Sequence, residues 1–232
     1  MSLLADTLVW LGDRAHYRGV DGVPHRLAEH LLLSGTALVV AAAAALPLAA
    51  YLGHSRRFPR LGTVVLAVAN ASRAVPVFAV LVLLVATPVG FGNRATVVAL
   101  VLFAVPPLLT NAYVGVRGVD ADVVEAARGN GMSGGQVLRR VELPLALPLI
   151  AAGVRSAAVQ VVATATLAAY VGGGGLGRLI ADGFGRADAA QTAAGGVLVA
   201  ALALVVELVL AGVQRRLSPG GRRSGAASFA PG

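Results

Sequence analysis

The chain has 232 residues, 57% of them hydrophobic and 13% charged, with a mean hydropathy of +0.79. That balance excludes an ordinary soluble domain and fits a chain that crosses a membrane several times. The formal charge of +8 comes from Arg alone; with no Lys and no Cys, disulfides, thiolate metal sites, cysteine nucleophiles and a lysine-bearing phosphate loop are all excluded.

A span needs roughly 20 apolar residues to cross about 30 Å of hydrocarbon, so the length predicts about five helices and one domain. Residues 1–26 are mixed, carry Arg14, Arg18 and Arg26, and read as an external segment with a short interfacial helix at Leu3–Leu11. They lack a basic start followed by a cleavage pattern, so no cleaved signal peptide is expected. The first span is predicted at Leu27–Leu52, where Ser34-Gly35-Thr36 is small enough for close helix packing. A basic turn, His54–Arg60, follows. The second span is predicted at Leu61–Ala86 with Pro76 inside it, and the third at Ala95–Val116 with Pro106-Pro107 as a kink. The loop 117–144 separates it from a fourth span at Leu145–Val171. A glycine-rich stretch, Gly172–Gln191, leads to a fifth span at Thr192–Val213. The membrane-spanning body thus covers 27–216, and 217–232 reads as a disordered cytoplasmic tail.

Loop charges set the orientation. With loop 117–144 inside, eleven Arg lie on the inner side (Arg56, Arg57, Arg60, Arg117, Arg128, Arg139, Arg140, Arg215, Arg216, Arg222, Arg223) and six outside (Arg14, Arg18, Arg26, Arg94, Arg178, Arg186). The positive-inside rule then places the N-terminus out and the C-terminus in.

The loop 117–144 is the most informative stretch. Asp120 and Asp122 open a short helix at its positive dipole end, Glu125-Ala126-Ala127 continue it, and Gly129 and Gly131 end it. Ser133-x-x-Gln136 is a capping-box pattern that starts a second helix, and Pro144 suits the first turn of the next span. The alanines allow a partner surface to approach closely; Glu125 either bonds backbone donors of the turn or pairs with a partner's Arg.

Glu125-Ala126-Ala127, Gly131, Val141 and Leu143-Pro144 together resemble the EAA loop of bacterial ABC importer permeases, with Val141 where that family usually has Ile. Further strings resemble the osmoprotectant branch, which serves glycine betaine, carnitine and choline: Glu29-His30-Leu31, Asn111-Ala112-Tyr113, Ala152-Gly153-Val154-Arg155, and Ala163 through Gly177. The likeness covers about residues 27–212. It departs where the family usually has Gln-Thr-Ile-Pro and this chain has Arg73-Ala74-Val75-Pro76, and where Thr110 replaces an Arg. The resemblance implies an all-α fold of the type I importer permease arrangement in the cell membrane. It implies Glu125, Ala126, Ala127, Gly131, Leu143 and Pro144 as the ATPase-docking set. It also implies as partners a separate ABC ATPase, a second permease copy or a related permease, and an external solute-binding protein.

Other sites are weaker. Gly172-x-Gly174-x-x-Gly177 fits a dinucleotide pattern, but a membrane span rather than a strand precedes it, so a tight external turn is expected. The four His are scattered and the Ser and Thr lack a His/Asp partner set, so neither metal, cofactor nor catalytic site is expected. Arg73, Arg155 and Glu207 lie inside spans, where a charge costs roughly 2.5–3.5 kcal/mol at a helix centre. Asn70, Ser72 and Arg73 form a polar patch that lines a pathway or serves as a structural hydrogen-bond group. Thr164 and Thr166 either line that pathway or bond the preceding turn. Arg155 and Glu207 lie at similar depths and are expected to form a buried pair. The rivals are a permease for amino acids such as methionine and, from another class, a secondary transporter, which has no reason to carry the loop and often shows inverted repeats.

Overall fold

The structure is a computed structural model that describes residues 2–55 and 59–217. The basic-turn residues Arg56 and Arg57, and the expected disordered tail beyond Leu217 with Arg222 and Arg223, lie outside the described residues. Within them the chain forms helices α1 (Leu3–Gly12), α2 (Val23–His54), α3 (Pro59–Ala71), α4 (Val77–Val85), α5 (Asn93–Arg117), α6 (Ala121–Gly129), α7 (Gly134–Val137), α8 (Leu143–Thr164), α9 (Gly177–Gly185) and α10 (Ala189–Leu217). Four helical runs are long and apolar enough to cross a membrane, and a fifth crossing exists if the bent pair α3–α4 counts as one.

The core is a three-helix layer of α2, α5 and α8. Its cause is a small-residue stripe. Ala37, Ala41, Ala45 and Ala49 recur every four residues along one face of α2, and each is at most 1% exposed. They meet Leu100, Ala104, Leu108 and Ala112 of α5. In lipid no hydrophobic force pulls helices together, so close backbone approach and van der Waals contact do that work. Of the expected Ser34-Gly35-Thr36 string only Ser34 is buried, at 4% exposure; Gly35 and Thr36 are exposed, and a Cβ on Gly35 would meet nothing within 4 Å. α5 and α8 approach through Gly153, where a Cβ would sit 2.7 Å from Asn111 Cβ.

Three expected elements differ. The second span is not one helix: α3 and α4 meet at 85° across a 3-10 turn, Ser72–Ala74. Pro76 supplies no N–H and bars helical geometry at Val75, so the helix restarts after it. The glycine-rich stretch contains a helix, α9, whose Leu179 and Ile180 pack with Trp10, Val23 and Leu176. The second loop helix is not separate either. It runs into the fourth span through a wide turn, Leu138–Glu142, in which the Leu143 N–H reaches back five residues to the Leu138 carbonyl. Pro144 accounts for it: its ring clashes with the carbonyl four residues earlier, and one extra residue per turn relieves the clash. Pro106 and Pro107, by contrast, lie within a single helix, α5.

Candidate functional site

The bundle has two distinct ends. At one, α6 and α7 form the loop expected to dock an ATPase. Asp120 caps α6, accepting the Asp122 N–H at 2.9 Å. After Gly129 the chain makes a Schellman turn: Gly131 N–H donates to the Arg128 carbonyl and Met132 N–H to the Ala127 carbonyl. Gly131 is left-handed, with φ of +83°, which is why glycine stands there. Ser133 N–H then donates to Gln136 Oε1 at 2.8 Å, closing the capping box. Val124, Ala127 and Val137 bury against Val119, with Met132 and Val141 alongside.

That small core turns the other face outward. Glu125 and Ala126 are exposed and Val123 is 44% exposed. Glu125 makes no hydrogen bond or ion pair among the described residues, so it does not bond the turn's backbone donors. Ala127 faces the loop's own core rather than outward. Leu143 is half-buried and Pro144 exposed at the start of α8.

The polar patch expected in the second span lies at its break. Asn70, Ser72 and Arg73 are all exposed there, and Ser72 Oγ donates to the Ala69 carbonyl at 2.8 Å. Ser72 and Val75 border an apolar cleft of about 390 Å³ reaching Leu102, Phe103 and Pro106 of α5. Thr164 and Thr166 lie elsewhere, where α8 tightens into a 3-10 run, Ala165–Val171; Thr166 Oγ1 donates to the Ala163 carbonyl at 2.9 Å. Phe78 of α4 stacks edge-on against Tyr170 of that run, with ring centroids 6.1 Å apart. The two sets thus border elements in contact, but no hydrogen bond joins them among the described residues. Arg155 Nε lies 3.6 Å from Glu207 Oε1, with the side chains 35% and 39% exposed. The charges meet on the outer face of α8 and α10, not buried in the chain as expected.

The other end holds the glycine turn. Gly174 N–H donates to Asn93 Oδ1 and Gly175 N–H to Glu29 Oε2. Leu176 N–H donates to His30 Nδ1, whose Nε2 lies 2.8 Å from the Val162 carbonyl. Both bonds are met by a neutral imidazole carrying its proton on Nε2. A Cβ on Gly174 would lie 2.6 Å from the Glu29 carboxylate, so a larger residue there displaces that carboxylate from its bonds to Gly175 and Arg26. Arg26 braces Glu29 at 2.8 Å and Asp21 at 2.5 Å. No group of three or more metal-ligating side chains occurs among the described residues.

A family model described as the binding-protein-dependent transport system inner membrane component matches residues 45–223. The chain belongs to that family. It is a multi-pass membrane permease, and its family is one of transport rather than catalysis. The permease is 37% identical over 191 residues to the carnitine transport permease protein OpuCB of Listeria monocytogenes, covering 82% of this chain and 86% of that one. It is 35% identical to the choline transport system permease protein OpuBB of Bacillus subtilis, covering 85% and 89%. In fold it is similar to the MetNI methionine ABC transporter in an inward-facing conformation, with a TM-score of 0.74 at 21% identity, covering 84% of this chain and 96% of that one. That places it among type I importer permeases by architecture.

Two features of the permease leave little trace in its sequence. His54 Nδ1 lies 2.5 Å from Glu142 Oε2, and Glu142 is only 2% exposed. This contact ties the end of α2 to the wide turn above the docking loop. The side-chain anchors of the glycine turn, Glu29, His30 and Asn93, are the other feature. Glu29-His30 carries a resemblance but no sign of its partner, because pairing across 146 residues leaves no periodic signal.

Proposed function

We propose that this chain is the transmembrane subunit of an ATP-driven importer for small osmoprotectants such as glycine betaine, carnitine or choline. The relatives' names, at 34–37% identity over 82–85% of the chain for three of them, carry the solute class. Two permease subunits, identical or related, form the pathway. An ATPase docks on the exposed face of α6, at Glu125, Ala126 and Gly131, with Leu143 and Pro144 at the root of the fourth span. A solute-binding protein delivers cargo at the glycine-turn end, which faces outward, while the docking loop faces the cytoplasm. The free carboxylate of Glu125 supports a partner that supplies a cation.

Alternating access is the work. Nucleotide-driven movement of the ATPases shifts the loop of α6 and α7, and α7 passes the movement to the fourth span, because α7 continues through the wide turn into α8. The fold likeness to a methionine transporter does not extend to its cargo, since 21% identity speaks for architecture alone. The test is uptake of labelled glycine betaine, carnitine and choline by cells expressing the permease with its neighbouring ATPase and binding protein. Uptake that needs all three parts supports the reading; none of the three solutes being imported would end it.

A further inference from the structure

We propose that Arg73 is a charge selector, favouring solutes that carry a carboxylate over solutes that are cations only. The inference rests on the osmoprotectant reading above and narrows it.

Position is the first ground. Ser72 lies about 20 Å along the chain from the start of α3 at 1.5 Å per residue, in a layer about 30 Å thick. An α3 that starts at one surface of the layer and runs upright thus carries Arg73 inside it. A full charge there is costly unless water or protein surrounds it. In this chain it is exposed, flanked by exposed Asn70 and Ser72, and held by no hydrogen bond or ion pair among the described residues. Broken spans of this kind mark solute sites in transporters, because irregular backbone at that depth is tolerated where it lines a cavity.

The second ground is the missing counter-charge. The chain has eleven acidic residues. Ten lie in loops or toward helix ends: Glu29 is committed to Gly175 and Arg26, and Glu142 to His54. Glu207 lies further inside a span and faces Arg155. None of the eleven pairs with Arg73 within the chain, and a second copy brings the same set. The solute can supply the counter-charge. Glycine betaine and carnitine carry a carboxylate beside their quaternary ammonium; choline carries the ammonium and a hydroxyl. Arg presents a fork of donors to a carboxylate and repels a bare cation. The sequence departure agrees: a neutral Gln usually stands where this chain has Arg73.

The experiment uses the whole transporter in proteoliposomes, with its own ATPase and binding protein. The ratio of choline to glycine betaine uptake is compared among wild type, Arg73→Gln and Arg73→Lys. The binding protein is common to all, so a change of ratio belongs to the permease. Arg73→Gln raises the ratio roughly tenfold, as expected for one unit charge a few ångströms away in a partly hydrated path; Arg73→Lys keeps the wild-type ratio whatever its rate. An unchanged ratio in Arg73→Gln, or the same rise in Arg73→Lys, overturns the proposal. Because the chain has no Cys, Arg73→Cys gives a unique second probe. A cationic thiol reagent restores the low ratio and an anionic one does not. A thiol at position 73 that water-soluble reagents never reach places the residue in lipid or buried protein and also overturns the proposal. Failure of wild type to import any of the three solutes, with the introduced thiol reactive, instead rejects the osmoprotectant reading and leaves the pathway position standing.

Discussion

The turn at Gly131 is closed by bonds between near neighbours, Gly131 to Arg128 and Met132 to Ala127, while the turn at Gly175 is closed by side chains 146 residues away. Both turns use a left-handed glycine, yet their surroundings are opposite. A Cβ on Gly131 would meet nothing within 4 Å, whereas one on Gly174, beside Gly175, would run into Glu29. The loop proposed to dock the ATPase closes its turn locally and leaves Glu125 unbonded and the space around Gly131 open. The glycine turn has its donors tied off across the chain, which suits an end that must hold its shape. A local motif suffices for the first; the second needs the folded bundle.

The largest effect that tests this contrast is Gly131→Asp. It adds left-handed strain and a charge on an open surface, so uptake falls to background while the protein stays folded in the membrane. Gly131→Ala adds the strain alone, about 1–2 kcal/mol, and retains part of the activity. Normal uptake and co-purification of the ATPase with the Asp variant would mean that the open face is not a docking face.

At the other end the expected loss is of fold, not of docking. Glu29→Ala leaves the Gly175 N–H without its acceptor and Arg26 with Asp21 alone, a loss of about 1–3 kcal/mol, read as a lower melting temperature in detergent. The ATPase still co-purifies. Loss of ATPase binding at unchanged melting temperature would erase the distinction between the ends. The His54–Glu142 contact belongs to the docking end but is tied off like the glycine turn. His54→Ala leaves a carboxyl group that is 2% exposed without its partner; the expected loss is again about 1–3 kcal/mol, with His54→Gln recovering part of it. An unchanged melting temperature with weakened ATPase coupling would class this contact with the open face.

The same contrast explains what is legible in the sequence. Four of the five spans, the α6 caps, the capping box and the αL glycine are local, and periodicity or short motifs carry them. The α2 stripe is as periodic, but Ser34-Gly35-Thr36 is the more conspicuous small-residue string, and of it only Ser34 is buried along with the four alanines. The break at Pro76 is masked because apolar residues continue on both sides of it; only the 3-10 turn separates the two axes. α9 is hidden by its glycines, since Leu179 and Ile180 gain their helix-forming value from burial on α1 and α10 rather than from propensity. The wide turn before Pro144 follows from proline chemistry but needs the loop helix and the span to be continuous.

The smallest effect lies between the two ends, at Arg155 and Glu207. Sequence depth alone puts these groups at one level, and they stand 3.6 Å apart. Each side chain is more than a third exposed or close to it, so the pair faces lipid, water or a second subunit rather than the chain's own core. A Coulomb gain there is discounted by whatever hydration reaches it, and a coupling of about 0.5–1 kcal/mol is the expected size. Arg155→Ala and Glu207→Ala each leave one charge without its counter-charge inside the membrane and lower the detergent melting temperature. The double change removes both charges, so its loss is smaller than the sum of the two. The same cycle run in bilayers sharpens the point, since lipid excludes water that detergent admits: the coupling grows if the pair faces hydrocarbon or a partner subunit. Strictly additive losses in both media would show that the two groups act apart, each anchored by its own surroundings.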